Sequence, residues 1–148
     1  MTPLRNRLTV EVLPPNEWGG RMALIRVDDR PLIDIIREVE LPIADAAGER
    51  NLAGSYGYLS AETVLLPSRH LSGEATRALF VYGEKLSVLE CECGCEGCWS
   101  LSVRITVTED EVIWSDFQQP HRDNWAYPET LRLVFDRGPY EQALAAAG

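Results

Sequence analysis

Hydrophobic and polar residues alternate along several stretches of the chain. The segments LTVEV (8–12) and RMALIRV (21–27) alternate in this way, and LSVRITV (101–107) does so most clearly. Because successive side chains of a strand point to opposite faces of a sheet, each stretch predicts a strand with one buried face. The alternation resumes after residues 109–110 in EVIWSDF (111–117), so the last two segments predict an antiparallel hairpin.

Three more segments predict strands, and one apolar stripe predicts a helix. The strand candidates are ALFVY (78–82), KLSVLEC (85–91) and TLRLVF (130–135). In PLIDIIREVE (31–40) the apolar residues instead recur with helical spacing, which indicates one buried helix face. That face consists of Leu32, Ile35, Ile36 and Val39.

The ends of this helix have their own signals. Pro31 suits its first turn, Asp28 and Asp29 lie near the positive end of its dipole, and Pro42 is expected to end it. The small, polar stretch 44–57 with its three glycines predicts a loop.

Two shorter helical segments complete the prediction. RGPYEQALAAAG (137–148) predicts a C-terminal helix, and a short helix is expected to start at Ser60 and end at Pro67. About seven strands and two or three helices without strict β-α alternation indicate an α+β fold. We therefore expect residues 1–148 to form a single α+β domain, mainly an antiparallel sheet or meander covered by two or three helices.

Composition limits the partners of the protein. The 148 residues carry 14 basic against 23 acidic side chains, a net charge of −9, which disfavours nucleic acid and anionic membrane surfaces. Lys85 is the single lysine, and we attribute the predominance of arginine over lysine first to genomic base composition. The N-terminal residues 1–20 contain no signal peptide, and no stretch reaches the ~20 apolar residues of a membrane span. These features predict a soluble cytoplasmic protein whose partner is another protein or a small ligand.

All four cysteines fall within the run ECECGCEGCW (90–99), between two predicted strands. The run should form a hairpin tip, where glycines permit a tight turn. Cys95 and Cys98 have the C-x2-C spacing of a zinc knuckle, and Cys91 and Cys93 could complete a tetrahedral site. The pattern therefore predicts a zinc site formed by Cys91, Cys93, Cys98 and Cys95.

Two other interpretations of the run remain open, and an activated nucleophile is disfavoured. The neighbouring Glu90, Glu92 and Glu96 should raise the pKa of the thiols, which argues against an activated nucleophile, whereas a bound cation would deprotonate them. A disulfide or redox-labile pair is compatible with the spacing. The cysteines could also be small side chains of a glycine-rich turn without a ligand.

Histidines supply another ligand candidate. His70 and His121 are the only two in the chain, and neither belongs to an H-x3–5-H pair. Two or three cysteines with one histidine would make a tetrahedral set, for which His121 is the better candidate.

The segment IWSDFQQPHRDNWAYPET (113–130) mixes aromatic and polar residues. One hypothesis makes it a ligand pocket, with His121 and an aspartate as an acid/base pair. The residues of this pocket would be Trp114, Asp116, His121 and Trp125. The simpler interpretation is a long connection whose aromatic residues cover the core. No recognised catalytic or nucleotide-binding motif accompanies the segment, so the sequence identifies neither catalytic nor cofactor-binding residues.

The cysteine run, the following hairpin and the C-terminal segment together resemble a group of small uncharacterised bacterial proteins. These proteins carry a C-x-C-G-x-x-G-C-W element, then W-x-D-F-x-Q-P-H-R, then a Phe-Asp-Arg-x-x-Tyr close. The matching positions are Cys91, Cys93, Gly94, Gly97, Cys98, Trp99, Trp114, Phe117, Pro120, His121 and Trp125. The resemblance covers roughly the C-terminal half. It implies a bacterial protein and no particular activity. Cys95 fits the pattern least, which favours a site of three cysteines and one histidine, or a disulfide.

Two functions follow from these observations. The leading hypothesis is an intracellular binding or interaction protein whose cysteine-rich hairpin tip holds a structural zinc ion. The rival hypothesis is a small thiol/redox protein or enzyme that uses the cysteine run and the segment around His121.

Overall fold

Two antiparallel sheets and three helices make up the computed structural model, which describes residues 5–17, 19–74, 81–91, 99–122 and 124–146. The first sheet has the order β1-β2-β3, formed by Leu8–Val12, Ala23–Val27 and Arg30–Pro31. The second sheet contains β4 Tyr56–Gly57, β5 Val81–Tyr82, β6 Lys85–Cys91, β7 Leu101–Val107, β8 Glu111–Gln118 and β9 Leu133–Asp136. Its order is β4-β6-β7-β8-β9, with β5 paired to the other end of β6. The α+β prediction is confirmed.

The helices lie between and after these strands. They are α1 Leu32–Ala46, α2 Ala61–Val64 and α3 Arg137–Ala146, with single 3-10 turns at Arg50–Leu52 and His70–Ser72. As predicted, Ser60 begins the short helix: its hydroxyl accepts a hydrogen bond from the Thr63 N–H at 3.3 Å. That helix ends at Val64, before the predicted Pro67.

The β7–β8 hairpin forms where alternation predicted it, but β8 contains a bulge. The register shifts between Ser102 and Arg104, and Asp116 adopts a positive φ of 53°. An extra residue in one strand changes which side chains face the core. Trp114 and Phe117 are therefore both buried although they are three positions apart.

The two sheets meet at Asn6, beside the outer edge of β9. The Asn6 N–H donates to the Val134 carbonyl at 2.8 Å, and the Asn6 side-chain oxygen accepts from the Val134 N–H at 2.8 Å. One asparagine thus pairs with both polar groups of a β9 residue. It satisfies backbone groups that an edge strand otherwise exposes.

An aromatic cluster fixes α3 against the second sheet. The Trp114 ring lies 5.4 Å from the Phe135 ring and 6.4 Å from the Tyr140 ring, measured between centroids. The Trp114 indole N–H donates to the Tyr140 hydroxyl at 3.1 Å, and that hydroxyl donates to the Leu71 carbonyl at 2.5 Å. These bonds let polar atoms enter a fully buried region without remaining unpaired.

The end predicted for α1 is wrong. The helix continues through Pro42 to Ala46, so the predicted 44–57 loop also contains helix, a 3-10 turn and β4. A proline inside a helix loses one backbone hydrogen bond. Here Ala44 is fully buried and packs with Ala53 and Trp125, and this burial of the last turn offsets the lost bond.

Smaller differences concern a turn and two strand boundaries. Asp28 and Asp29 form the two-residue turn between β2 and β3, both with positive φ, rather than preceding α1 directly. The predicted strand at 130–135 begins only at Leu133 and extends to Asp136. Of the strand predicted at 78–82, residues 78–80 lie outside the described ranges.

Within the part of the chain that the structure describes, no helix has the length and apolar content to span a membrane.

Gly54 lies where a side chain would strain the fold. Its φ is +67°, and an added Cβ would come within 2.6 Å of the Arg37 Cβ on α1. Gly48 has a similar φ of +74° with no atom within 4 Å of an added Cβ. The two glycines therefore separate backbone strain from steric overlap.

We predict that Gly48→Ala lowers the free energy of unfolding by about 1–2 kcal/mol, the cost of a left-handed residue. Gly54→Ala should cost about 1–3 kcal/mol more, because the methyl group also collides with α1. Urea denaturation of both variants measures the difference. Equal losses would contradict the close approach of Gly54 to Arg37.

Candidate functional site

A carboxylate occupies a core position on α1. The fully buried residues of this helix are Leu32, Ile36, Glu40 and Ala44, which recur every four positions. Ile35 and Val39, which the sequence predicted for the buried face, are only partly buried. Burial of a carboxylate is costly unless hydrogen bonds replace the water that it loses.

Three donors replace that water around Glu40. The Gly54 N–H donates to its Oε1 at 2.9 Å, the Tyr56 hydroxyl donates to its Oε2 at 2.6 Å, and the Tyr127 hydroxyl donates to the same Oε2. Gln119 extends the group, since its side-chain N–H donates to the Tyr56 hydroxyl at 3.0 Å. We call Glu40, Tyr56, Gln119 and Tyr127 the buried polar cluster.

Burial sets the protonation of this cluster. It raises the pKa of Glu40, an effect that the three hydrogen-bond donors partly offset. Burial, together with nearby negative charge, also raises the pKa of Tyr56 and Tyr127 far above the ordinary value, so both phenols stay protonated and can donate. Through these donated hydrogen bonds the cluster joins α1 to β4 and to the segment after β8.

Aromatic and charged side chains lie beside the buried polar cluster. The His121 ring stacks on the Trp99 ring, with 6.0 Å between centroids and 14° between planes, and Trp125 meets Trp99 edge-on at 6.0 Å. The Arg122 guanidinium lies 4.9 Å from the centre of the Trp99 ring, close enough for a cation–π interaction. Arg122 also binds Glu49 through Nε at 3.0 Å and through NH2 at 2.9 Å. This pairing lowers the pKa of Glu49.

The cysteine run begins at the edge of this region. Cys91 ends β6 and pairs directly with Tyr56 of β4, so the first cysteine is next to the buried polar cluster. Cys93, Cys95 and Cys98 lie outside the described residues. In the ranges that are described, no group of three or more His, Cys, Asp or Glu side chains is arranged to hold a metal ion.

The two histidines have different surroundings. His70 is fully buried, and its Nε2 is 2.8 Å from the Ser87 carbonyl oxygen in the core, where burial lowers the pKa of the ring. His121 is exposed and stacks on Trp99, which immediately follows Cys98 in the sequence.

A cavity of about 530 Å³ opens beside the bulge of β8. Residues 125–129 form one side of it, and β6 and β8 form the other. The apolar lining is Phe117, Trp125, Tyr127 and Pro128, and the polar lining is Lys85, Ser115, Asp116, Gln118 and Glu129. Tyr127 thus contacts the cavity with its ring while its hydroxyl binds Glu40 inside the fold.

Lys85 and Asp116 belong to a chain of charged groups at this cavity. The Lys85 ammonium donates to Gln118 Oε1 at 2.6 Å, and partial burial lowers its pKa. Arg104 donates to Asp116 at 3.0 Å and to Glu84 at 2.6 Å.

Of the four residues predicted to form a pocket, two line this cavity. Asp116 and Trp125 line the cavity. Trp114 is fully buried in the aromatic core, and His121 lies against Trp99.

Sequence reasoning missed the buried polar cluster and Lys85. The spacing does indicate burial of Glu40, because it lies four residues after Ile36 on the same helix face. A charged residue at that position, however, also indicates the end of an apolar stripe. Lys85 has a signal as the single lysine of the chain, although base composition accounts equally well for the scarcity of lysine.

Comparison of the chain with known protein families, with curated proteins and with solved structures finds no match.

We predict that Glu40→Ala lowers the free energy of unfolding by about 3–5 kcal/mol, because it leaves three buried donors without an acceptor. Glu40→Gln keeps the shape and one acceptor oxygen and should cost about 1–3 kcal/mol. Equilibrium denaturation of both variants at neutral pH tests this order. A Glu40→Ala protein as stable as the wild type would show that the donors are satisfied in another way.

The raised pKa of Glu40 also predicts a pH dependence. Below the unfolded-state pKa of about 4.3, Glu40 is protonated in both states. As the pH rises through the folded-state pKa, the unfolded chain ionises more readily, so this contribution to stability is lost. The free energy of unfolding of the wild type should therefore fall relative to Glu40→Gln between pH 4 and neutral pH. A difference that rises with pH would mean that the hydrogen bonds outweigh burial.

Proposed function

We propose that this chain is a cytoplasmic metal-binding protein in which Cys91, Cys93 and Cys98 hold a zinc ion, with His121 or Cys95 as the fourth ligand. The ion would have a structural role and would order the cysteine-rich tip for contact with a protein or small-ligand partner. Zinc accepts four sulfur or imidazole ligands in a tetrahedral arrangement, which these residue types can supply.

The observation that carries the proposal is the contact between His121 and Trp99. The two ring centroids are 6.0 Å apart, and Trp99 directly follows Cys98, so an exposed imidazole lies beside one end of the cysteine run. His70 is engaged in the core by the Ser87 carbonyl and is less suitable as a ligand. This contrast favours His121 over His70.

Charge gives separate support. The run contains Glu92 and Glu96 among its thiols, and Glu90 precedes it, so free thiolates would be disfavoured there. A divalent cation removes this penalty and binds the thiolates directly. A reducing cytoplasm, where disulfides are rare, fits the same interpretation.

One observation favours the alternative, a small thiol/redox protein or enzyme. Asp116 has a positive φ in a bulge and lines a cavity, and strained residues of this kind often occur at functional sites. Such a protein would expose a reactive thiol without a metal.

Protein purified without chelator should contain close to one zinc per chain by elemental analysis. Its thiols should resist alkylation until a chelator is added, because the metal occupies the thiolates. Less than about a tenth of an equivalent of metal, with rapid alkylation of one cysteine at neutral pH, would instead support the thiol protein.

The fourth ligand is tested by two matched variants. If His121 binds the metal, His121→Ala should lower the zinc affinity at least tenfold, since loss of even a supporting group costs about that much. Cys95→Ser should then retain the wild-type zinc content. Competition with a zinc-binding dye measures both affinities. The opposite order would assign the fourth position to Cys95.

A further inference from the structure

The cavity beside the β8 bulge presents both signs of charge around an apolar surface. Its cationic group is the Lys85 ammonium, whose hydrogen bond within the described part of the chain goes to the neutral Gln118 side chain. Its anionic groups are Asp116 and Glu129. Arg104 partly neutralises Asp116 at 3.0 Å, whereas Glu129 is exposed at the rim. A ligand carrying one charge would be repelled by one side of this lining.

The volume and the apolar lining of the cavity further restrict the class of ligand that it can bind. About 530 Å³ lies within the range of small-molecule sites and exceeds what a single inorganic ion needs. Tyr127 and Pro128 offer accessible apolar surface that suits an aromatic or aliphatic group, whereas Phe117 and Trp125 are almost fully buried.

We propose that this cavity binds a free α-amino acid with an apolar side chain. Lys85 and Gln118 receive its carboxylate, Glu129 receives its ammonium group, and Tyr127 and Pro128 pack against its side chain. The proposal uses no cysteine and is independent of the metal.

The position of Lys85 supports this role. Lys85 lies on β6 and Gln118 on β8, with β7 between them, so the 2.6 Å bond holds the ammonium at the cavity. An ammonium that has lost part of its water gains more from a carboxylate than one at an open surface. The neighbouring ion pairs of Arg104 also keep that guanidinium directed at protein carboxylates.

Three compounds with the same phenyl ring separate the contributions of the two charges. L-phenylalanine has both charges, 3-phenylpropionate lacks the ammonium group, and phenethylamine lacks the carboxylate. We expect L-phenylalanine to bind about tenfold tighter than either analogue, which is the value of one charge-assisted hydrogen bond. Isothermal titration calorimetry gives the three dissociation constants.

Variants then assign each charge to a residue. Lys85→Gln should remove the advantage of L-phenylalanine over phenethylamine, and Glu129→Gln should remove its advantage over 3-phenylpropionate. Glu62→Gln changes the net charge by the same amount as Glu129→Gln, at an exposed position of α2, and should leave all three constants unchanged. Glu129 is also exposed, so its variant tests the site even if Lys85→Gln destabilises the fold.

The single lysine provides a direct signal of binding. Protein labelled with ¹³C,¹⁵N-lysine gives a single lysine Nζ resonance, from Lys85. L-phenylalanine should shift this resonance and move its titration midpoint upward, because a bound carboxylate favours the charged ammonium.

The proposal is overturned if 3-phenylpropionate or phenethylamine binds as tightly as L-phenylalanine. It is also overturned if L-phenylalanine, L-tryptophan and L-leucine, each at about 10 mM, leave the Lys85 resonance unchanged. A dissociation constant above that concentration would be too weak for the proposed contacts to the carboxylate and the ammonium group.

Discussion

The buried carboxylate of Glu40 is the constraint on which the rest of the candidate site depends. It occupies a core position of α1 and accepts hydrogen bonds from Gly54, Tyr56 and Tyr127. Because an unpaired buried carboxylate is so costly, these three donors must stay in place whenever the protein is folded. One side chain thus fixes a helix, the start of a sheet edge and the segment that follows β8.

The cysteine run and the cavity border different members of the buried polar cluster. Tyr56 pairs with Cys91 at the beginning of the cysteine run, while Tyr127 lines the cavity that contains Lys85. Both phenols donate to the same carboxylate oxygen of Glu40. The buried polar cluster therefore holds the end of β6 and one wall of the cavity in a fixed relation, which a binding site requires.

Features that depend on local sequence could be predicted, and features that depend on contacts between distant residues could not. Alternation was sufficient to predict the β7–β8 hairpin, but β7 has no single buried face, because Leu101, Ser102 and Val103 are all buried. Alternation failed at Asp116, where an inserted residue changes the facing of the side chains without a sequence signal. Pro42 predicts a helix end because local propensity opposes proline inside a helix, yet packing around Ala44 outweighs one lost hydrogen bond. The burial of Glu40 could not be predicted, because it depends on three hydrogen-bond donors that are distant in sequence.

The proposed function gives the cysteine run a zinc ion beside this cluster, with His121 or Cys95 as its fourth ligand. Zinc K-edge X-ray absorption of the protein as purified tests this claim. With His121 as the fourth ligand we expect a shell of three sulfur atoms at about 2.3 Å and one nitrogen at about 2.0 Å. A shell of oxygen and nitrogen alone, or protein without a zinc edge, would contradict the claim, and four sulfur atoms would remove His121 from the site.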